Sequence, residues 1–258
     1  MSFPNYPEKH QLDSLLSGNE MIEFRNRLGR LPKIEPPEAL LLCLHRGLPE
    51  RMRWRIPIRY VGRMMGDLYL VKKTNRRVAV LTNFGIGAPV VTALAEEFIA
   101  WGVRQIVSIS WGGGISAELQ AGDIVICGRA LRDEGTSHHY LPSGKYVEAS
   151  QRLVNRLSEA LQARNVPFHI GTTWTTDAPY RETREEVKQY QSEGIKTVEM
   201  EIAALYALGQ VRRVEAASIV VVGDSLAKLR WQAPADVRPI ERSLEMVYRA
   251  AIDALNNA

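Results

Sequence analysis

The stretch Val78-Ala79-Val80-Leu81-Thr82-Asn83-Phe84-Gly85-Ile86-Gly87-Ala88-Pro89 decides the fold. Its first five residues are a short apolar run, which fits a strand buried on both faces. Residues 83–89 combine Asn, Gly and Pro, which are turn formers. Beyond them Val90, Val91, Leu94, Phe98 and Ile99 recur at helical spacing, and Gly102 ends the helix. Residues 105–109 (QIVSI) form the next strand. A strand, turn, helix and strand in that order are the repeating unit of a sheet with helices on its faces.

Working outward, residues 39–44 (ALLLCL) are a second buried strand, followed by the loop HRGLPER and a stretch ending in GDLYLVKK. Downstream, Gly112-Gly113-Gly114 are expected to break the 105–109 strand. Further strands are expected at 123–128, 168–173, 195–199 and 217–222. Helices are expected on Leu153, Leu157 and Leu161, over 200–209, and on Ile240, Leu244, Val247, Ala251 and Leu255. Thr183 and Glu186 form a capping-box pair that starts another helix, which Gly194 ends. The fold class is α/β: a single domain over residues 38–258, with a mixed, mostly parallel central sheet covered by helices on both faces. Residues 1–37 are polar and Pro-rich and form an N-terminal arm. Functional sites in such sheets cluster at the carboxyl ends of strands, which points to residues 45–51, 83–89, 110–114, 174–182 and 223–226.

The chain has 258 residues, 45% hydrophobic and 24% charged, and 33 Lys and Arg against 29 Asp and Glu leave a net charge of +4. That composition excludes a disordered, collagen-like or coiled-coil chain. The densest basic stretch is Arg51, Arg53, Arg55, Arg59 and Arg63, with Trp54 and Tyr60 among them. No zinc-finger spacing or RNA-binding aromatic signature accompanies it, so no nucleic-acid partner is expected. Cys43 and Cys127 sit in apolar runs and are expected to be buried thiols. The N-terminus shows no apolar signal region and no run approaches the ~20 residues of a membrane helix, so no membrane partner is expected and the cytoplasm is the default compartment.

Two constellations carry chemistry. In Thr197-Val198-Glu199-Met200-Glu201-Ile202 two carboxylates flank a methionine where a strand turns into a helix. A carboxylate there can accept both hydroxyls of a sugar diol, and a thioether can lie under the ring. Acidic residues in a helix's first turn are also favoured by its dipole alone. In Val222-Gly223-Asp224-Ser225-Leu226 an acid follows an apolar strand, a position suited to general-acid work or to a helix cap. A serine hydrolase of the GDSL type is set aside, because the motif lies late and no Asp-x-x-His pair follows. The loop 133–140, with His138 and His139, matches no zinc motif, and no metal is expected. It reads instead as a loop bordering the substrate site, while His45 and His169 are expected to be structural.

Taken in order, the Gly85-Ile86-Gly87-Ala88-Pro89 loop, the VEMEIAALYAL block and the VVVGDSL block resemble the nucleoside phosphorylase family of the purine and uridine phosphorylase type. Gly47-Leu48-Pro49-Glu50-Arg51 is similar to that family's G-D-P-x-R turn. Thr176-Asp177-Ala178-Pro179-Tyr180 is similar to its base-site segment. The resemblance covers roughly residues 39 to 255. It implies phosphate binding by Gly47, Arg51 and Arg63 (or Arg59). It implies ribose binding by Glu199, Met200, Glu201 and His10, with His10 and the arginine of one subunit serving its neighbour. It implies a base site at Tyr180, Asp177, Trp111 and Gly112. Asp224 would give a proton to purine N7 as the glycosidic bond breaks. No cofactor is implied beyond inorganic phosphate as co-substrate. The partners implied are a nucleoside, phosphate and further copies of the chain, in a homodimer or a hexamer built as a trimer of dimers.

Base preference follows from the same comparison. The acid at Asp224 goes with purines, and the Gln and Arg that read a pyrimidine are not evident in residues 181–185. Pro179 replaces the usual Phe. The family also places an arginine where this chain has Ser108 and a Ser or Thr where it has Trp111. Losing one arginine–phosphate contact removes about 1.5–3 kcal/mol. Arg53, Arg55 or a glycine nest at 112–114 are the candidates to compensate. Three expectations stand: a purine nucleoside phosphorylase, a nucleoside hydrolase in which water attacks (with Glu50 the acid near the first strand), and a nucleoside-binding relative without turnover.

Overall fold

The computed structural model describes residues 4–74 and 77–256. The strands are β1 (Ala39–Cys43), β2 (Ile58–Arg63), β3 (Asp67–Val71), β4 (Val78–Thr82), β5 (Gln105–Gly114), β6 (Ile124–Asp133), β7 (Tyr146–Glu148), β8 (His169–Thr176), β9 (Ile195–Glu199) and β10 (Glu215–Ser225). The helices are α1 (Gly18–Arg27), α2 (Leu48–Met52), α3 (Ala88–Trp101), α4 (Gln151–Gln162), α5 (Arg184–Ser192), α6 (Ile202–Arg212) and α7 (Arg238–Asn256). The apolar runs at 39–43 and 78–82 are buried along their whole length and pair in parallel. Both faces of these strands are covered, because residues of alternate parity enter different cores. Leu40, Leu42 and Ile106 pack with α3 and α6, while Leu41, Val107 and Ile109 pack with α4 and α7.

The sheet is mixed. Its long ladders, β5 with β10 and β6 with β8, are parallel, and antiparallel pairing joins β10 to β6 and builds the β2–β3–β4 edge. Half of the sheet closes on itself, because β5 pairs β10, β10 pairs β6, β6 pairs β8, β8 pairs β9, and β9 returns to β5. Closure removes the exposed edges that an open sheet would leave. The other half, β1, β4, β3 and β2, is an open wing on the same β5 strand.

The sequence-based strand ends need correction. Gly112, Gly113 and Gly114 do not break β5, which runs to Gly114; β8 extends to Thr176 and β10 to Ser225. The three glycines are there for close approach rather than for a turn. A Cβ on Gly112 would lie 2.5 Å from the Val198 carbonyl oxygen, and one on Gly114 would lie 3.0 Å from Val222 Cγ1. The proposed glycine nest is therefore a crowded strand. The β2–β3 hairpin and the short helix α2 were also not anticipated.

The arm contains a helix. Ser17 caps α1, with its hydroxyl accepting the Glu20 N–H and the Glu20 carboxylate accepting the Ser17 N–H. Arg25 then clamps Glu97 of α3 with two hydrogen bonds of 2.6 and 2.9 Å. Among the described residues no helix is long and apolar enough to cross a membrane.

Candidate functional site

The cleft opens where β5 outruns its neighbour. β1 ends at Cys43, opposite Ile109, and β9 takes up pairing on that edge only at Gly113. Between them Ser110, Trp111 and Gly112 lack a strand partner on this side and line a cleft of about 1140 Å³. His45 and Arg46 after β1, Glu199 to Glu201 at the end of β9, Asp224 on β10, the start of α5, and Leu226, Leu229, Arg230 and Trp231 complete its walls. The site thus sits at the carboxyl ends of several strands, as α/β sheets require.

The carboxylates after β9 are held by backbone. Glu199 Oε2 accepts the N–H groups of Glu201 and Ile202, both at 2.7 Å, and its Oε1 accepts the Thr175 hydroxyl at 2.5 Å. Thr175 in turn accepts the Ala203 N–H at 2.9 Å. These acceptors satisfy donors that the first turn of α6 leaves open. Burial, and then the neighbouring Glu201, push the Glu199 carboxyl upward. Glu201 Oε1 accepts the Gly87 N–H at 2.6 Å and so ties the 83–89 turn to the start of α6. Burial pushes Glu201 upward too, opposed by the N–H groups of Gly87 and Met200. Met200 lies between the two acids, half-buried on the cleft wall.

Asp224 owes its position to a bulge. The β5–β10 register skips Gly223, so that Val222 pairs Gly112 and Asp224 pairs Gly113. Bulges of this kind re-aim side chains beside functional sites. A Cβ on Gly113 would lie 3.0 Å from Asp224 Oδ1, and a Cβ on Gly223 would lie 3.2 Å from the Trp111 ring. One glycine makes room for the acid and the other for the tryptophan. Asp224 Oδ2 accepts the indole N–H of Trp231 at 3.2 Å. Burial, then the charges of Asp224 and Glu186, push the nearby Glu182 carboxyl up to about 7.

The residues expected at the phosphate are placed differently. Gly47 has a left-handed φ of 75° and starts α2, and neither it nor Arg51 lines the cleft. The Arg51 guanidinium faces Glu241 at 3.4 Å and Glu245 at 3.6 Å, and Arg55 bonds Glu245 at 2.8 Å. Arg63 is exposed on β2, in register with Asp67, outside this chain's own cleft. Glu50 accepts the Tyr69 hydroxyl at 2.5 Å and does not line the cleft either. Ser108, in the position of the family's arginine, donates to Ser218 at 2.7 Å inside the sheet. Trp111 is 53% exposed and meets His45 edge-on at 6.2 Å. The arginines that line the cleft are Arg46, Arg184 and Arg230.

Of the expected base and ribose residues, Trp111, Gly112, Tyr180, Glu199, Met200, Glu201 and Asp224 come together on the cleft. Asp177 does not; its carboxylate accepts the Gly135 N–H at 2.7 Å and pins one surface loop to another. His10 lies in a single 3-10 turn, Lys9–Gln11, packed against the Thr136–His139 turn and not in this chain's cleft. The loop carrying His138 and His139 packs on α3 and α6 rather than bordering the cleft. It is held from below by buried Arg132, which donates to Ser137 Oγ at 2.9 Å. Among the described residues no group of three or more His, Cys, Asp or Glu side chains is placed to hold a metal ion.

Sequence reasoning missed His45, Arg46, Glu182 and Trp231. His45 was expected to be structural and instead lines the cleft. Glu182 falls inside the flagged 174–182 segment, but an acid just before a capping Thr resembles ordinary helix-start chemistry. Trp231 offered only the oddity of a tryptophan in a polar loop.

The sequence model of the phosphorylase superfamily matches residues 55–255. The guanosine phosphorylase of Halorubrum lacusprofundi is 28% identical over 177 residues, 68% of this chain and 73% of that protein. The DeoD-type purine nucleoside phosphorylase of Bacillus cytotoxicus is 28% identical over 153 residues, 58% of this chain and 65% of that one. Among solved structures, the purine nucleoside phosphorylase of Toxoplasma gondii in complex with immucillin-H overlays with a TM-score of 0.79 at 19% identity, covering 88% of this chain and 94% of the other. The uridine phosphorylase of Vibrio fischeri ES114 overlays with a TM-score of 0.72 at 23% identity, covering 87% and 92%. The fold is therefore that of the purine and uridine phosphorylases, and with a family match running from just beyond α2 into the last turn of α7 the chain belongs to the phosphorylase superfamily.

Proposed function

We propose that the protein is a nucleoside phosphorylase that cleaves the N-glycosidic bond of a purine nucleoside with inorganic phosphate, giving free base and ribose 1-phosphate. The observation that carries this reading is Asp224, aimed into the cleft by the Gly223 bulge, opposite the Glu199-Met200-Glu201 segment. An acid at that place protonates N7, so the base leaves neutral. Glu201 accepts the ribose hydroxyls while it stays tied to Gly87, and Met200 lies under the sugar. As C1′ takes on oxocarbenium character, the anion on its far face stabilises it and then bonds to it. Tyr180 and Trp111 supply the aromatic surface against the base or sugar.

The anion falls to Arg46, beside Ser110 and Trp111 on the cleft wall, with Gly47 next in the chain. Arg51 contributes only by leaving Glu241 and Glu245. His10 and Arg63 reach a cleft only as gifts to a neighbouring subunit, and exposed Leu15, Leu16 and Phe24 on the arm supply apolar surface for a homo-oligomer. A monomer by light scattering would remove both residues from the site.

A second reading has its own observation. Trp111 in the anion turn, together with Ser108 bonded to Ser218, favours water as the nucleophile. Incubation with inosine, adenosine, guanosine and uridine, following free base, tests the substrate class. Release from purine nucleosides is expected; release from uridine alone overturns the base assignment.

A further inference from the structure

We propose that Trp231 is a positioning residue for the cleavage: its indole N–H engages one oxygen of Asp224 and leaves the other, Oδ1, as the oxygen presented to the leaving base. This rests on the reading of the cleft as a nucleoside-cleaving site. It gives a role to a residue that neither the sequence motifs nor the resemblance assigns.

The chain around Trp231 brings its ring back to the end of β10. Ser225 and Gln232 exchange backbone N–H···O=C bonds of 3.0 and 2.9 Å, which close residues 226–231 into a loop. Leu226 and Leu229 root that loop in the apolar cluster of Trp174, Val187, Ile195 and Val198. The Gln191 side chain on α5 donates to the carbonyls of Ile115 and Ala227 at 2.9 and 3.0 Å, tying the loop to the chain just beyond β5. Leu229 holds a left-handed φ of 56°, which a leucine keeps only where its surroundings impose it. Trp231 is not rooted in that cluster. Its side of the loop is 66% exposed, so burial does not account for its place, and its indole N–H reaches Asp224 Oδ2 at 3.2 Å.

Among the described residues no other group donates to the Asp224 carboxyl. Oδ1 lies over β5, 3.0 Å from where a Cβ on Gly113 would stand, and Gly113 lines the cleft. An indole nitrogen is a donor only, and it is met best by an oxygen that carries no proton. A proton on this carboxyl therefore sits on Oδ1, and an ionised Asp224 has Oδ1 free to accept from substrate. The choice of oxygen is the same in both states. In the cleavage proposed above, the electron pair of the C1′–N9 bond stays on the base and the proton on Oδ1 passes to N7. An oxygen of the phosphate (or of water) forms the new bond to C1′. The carboxylate left behind keeps the indole N–H on Oδ2, now as a charge-assisted bond, which is stronger than the bond before transfer. The contact thus favours the transition state over the bound substrate, and its loss falls on kcat rather than KM.

The test uses the full chain and separates the donor from the ring. Trp231→Phe keeps a ring and removes the N–H, whereas Trp231→Gln keeps an N–H and removes the ring. With inosine, Trp231→Phe should lower kcat about tenfold and leave KM within about twofold of wild type. Trp231→Gln should recover most of that loss, and both should melt close to wild type because the side chain is exposed. In ¹H–¹⁵N spectra of the free protein, the indole resonance that disappears in Trp231→Phe should move upfield in Asp224→Asn. Wild-type kcat in Trp231→Phe overturns the proposal. Equal losses in the two variants do so as well, by assigning the effect to the ring, and an indole resonance indifferent to Asp224→Asn removes the contact itself. Each of these leaves wild-type cleavage standing. A wild-type protein that cleaves no nucleoside defeats the functional reading, and the positioning role falls with it.

Discussion

The two halves of the cleft are built differently. On the sugar and base side three carboxylates are fixed by the fold: Glu199 by two N–H groups at the start of α6, Glu201 by Gly87, and Asp224 by a bulge and an indole. On the anion side Arg51, which the family resemblance assigns to phosphate, is engaged elsewhere, and Ser108 and Trp111 stand where the family has its other phosphate groups. Arg51 pairs with Glu241 and Glu245, Ser108 bonds Ser218, and a tryptophan lies across Gly223. Preorganised groups cost little to use when substrate arrives, whereas a group that must first leave a partner gives back much of what it gains. On the proposed reading, the comparison teaches that the groups for breaking the glycosidic bond are preorganised, whereas those for holding the nucleophile are not.

The largest expected effect breaks the first half. Asp224→Asn should lower kcat by about 10²–10⁴-fold, while a ligand-induced rise in melting temperature persists. A variant that retains more than a tenth of wild-type kcat would move the acid elsewhere. Next comes the anchor beneath the sugar side. Glu199→Ala leaves the buried N–H groups of Glu201 and Ile202 without acceptors, each costing about 1–3 kcal/mol. In a chain of this size that lowers Tm by roughly 5–10 °C, measured by calorimetry. An unchanged Tm would show that the start of α6 does not depend on this carboxylate.

The anion side gives smaller effects. Trp111→Ser should open the anion turn and lower the KM for phosphate about tenfold, the value of one added hydrogen bond to a charged group. Arg46→Ala should raise that KM more than Arg51→Ala does, and Arg51→Ala should stay within about threefold because its partners are surface carboxylates. The reverse order would return phosphate binding to Arg51. The smallest effect is a pH dependence of stability. Glu182 has a folded pKa raised to about 7, so the stability it contributes is present at acid pH and is lost as pH rises through that value. Wild type should therefore lose melting temperature relative to Glu182→Gln across neutrality, and parallel curves would contradict it.

Much of the site was legible because buried strands and their end residues are written locally. The runs at 39–43 (ALLLC) and 78–81 (VAVL) are apolar without interruption, Glu199 and Asp224 stand at the ends of β9 and β10, and Met200 and Glu201 follow β9 directly. The triglycine misled because glycine signals a turn in sequence, whereas here Val198, Val220 and Asp224 crowd the strand and exclude any Cβ. The α1 capping box, Ser17 to Glu20, was as readable as the one at Thr183, but the prolines around it drew the reading toward a loop. Glu182 and Trp231 were not legible. Glu182 shares the cleft with Asp224 from a segment 42 residues away, and Trp231, seven residues beyond Asp224, reaches back to it only because the 226–231 loop folds over the end of β10.

The most direct test follows phosphorus. With inosine and inorganic phosphate, ³¹P spectra of the reaction should show ribose 1-phosphate forming in equal amount with free hypoxanthine, and no base released when phosphate is left out. Free ribose accumulating at the same rate with or without phosphate would contradict the phosphorylase reading and make water the nucleophile behind Trp111.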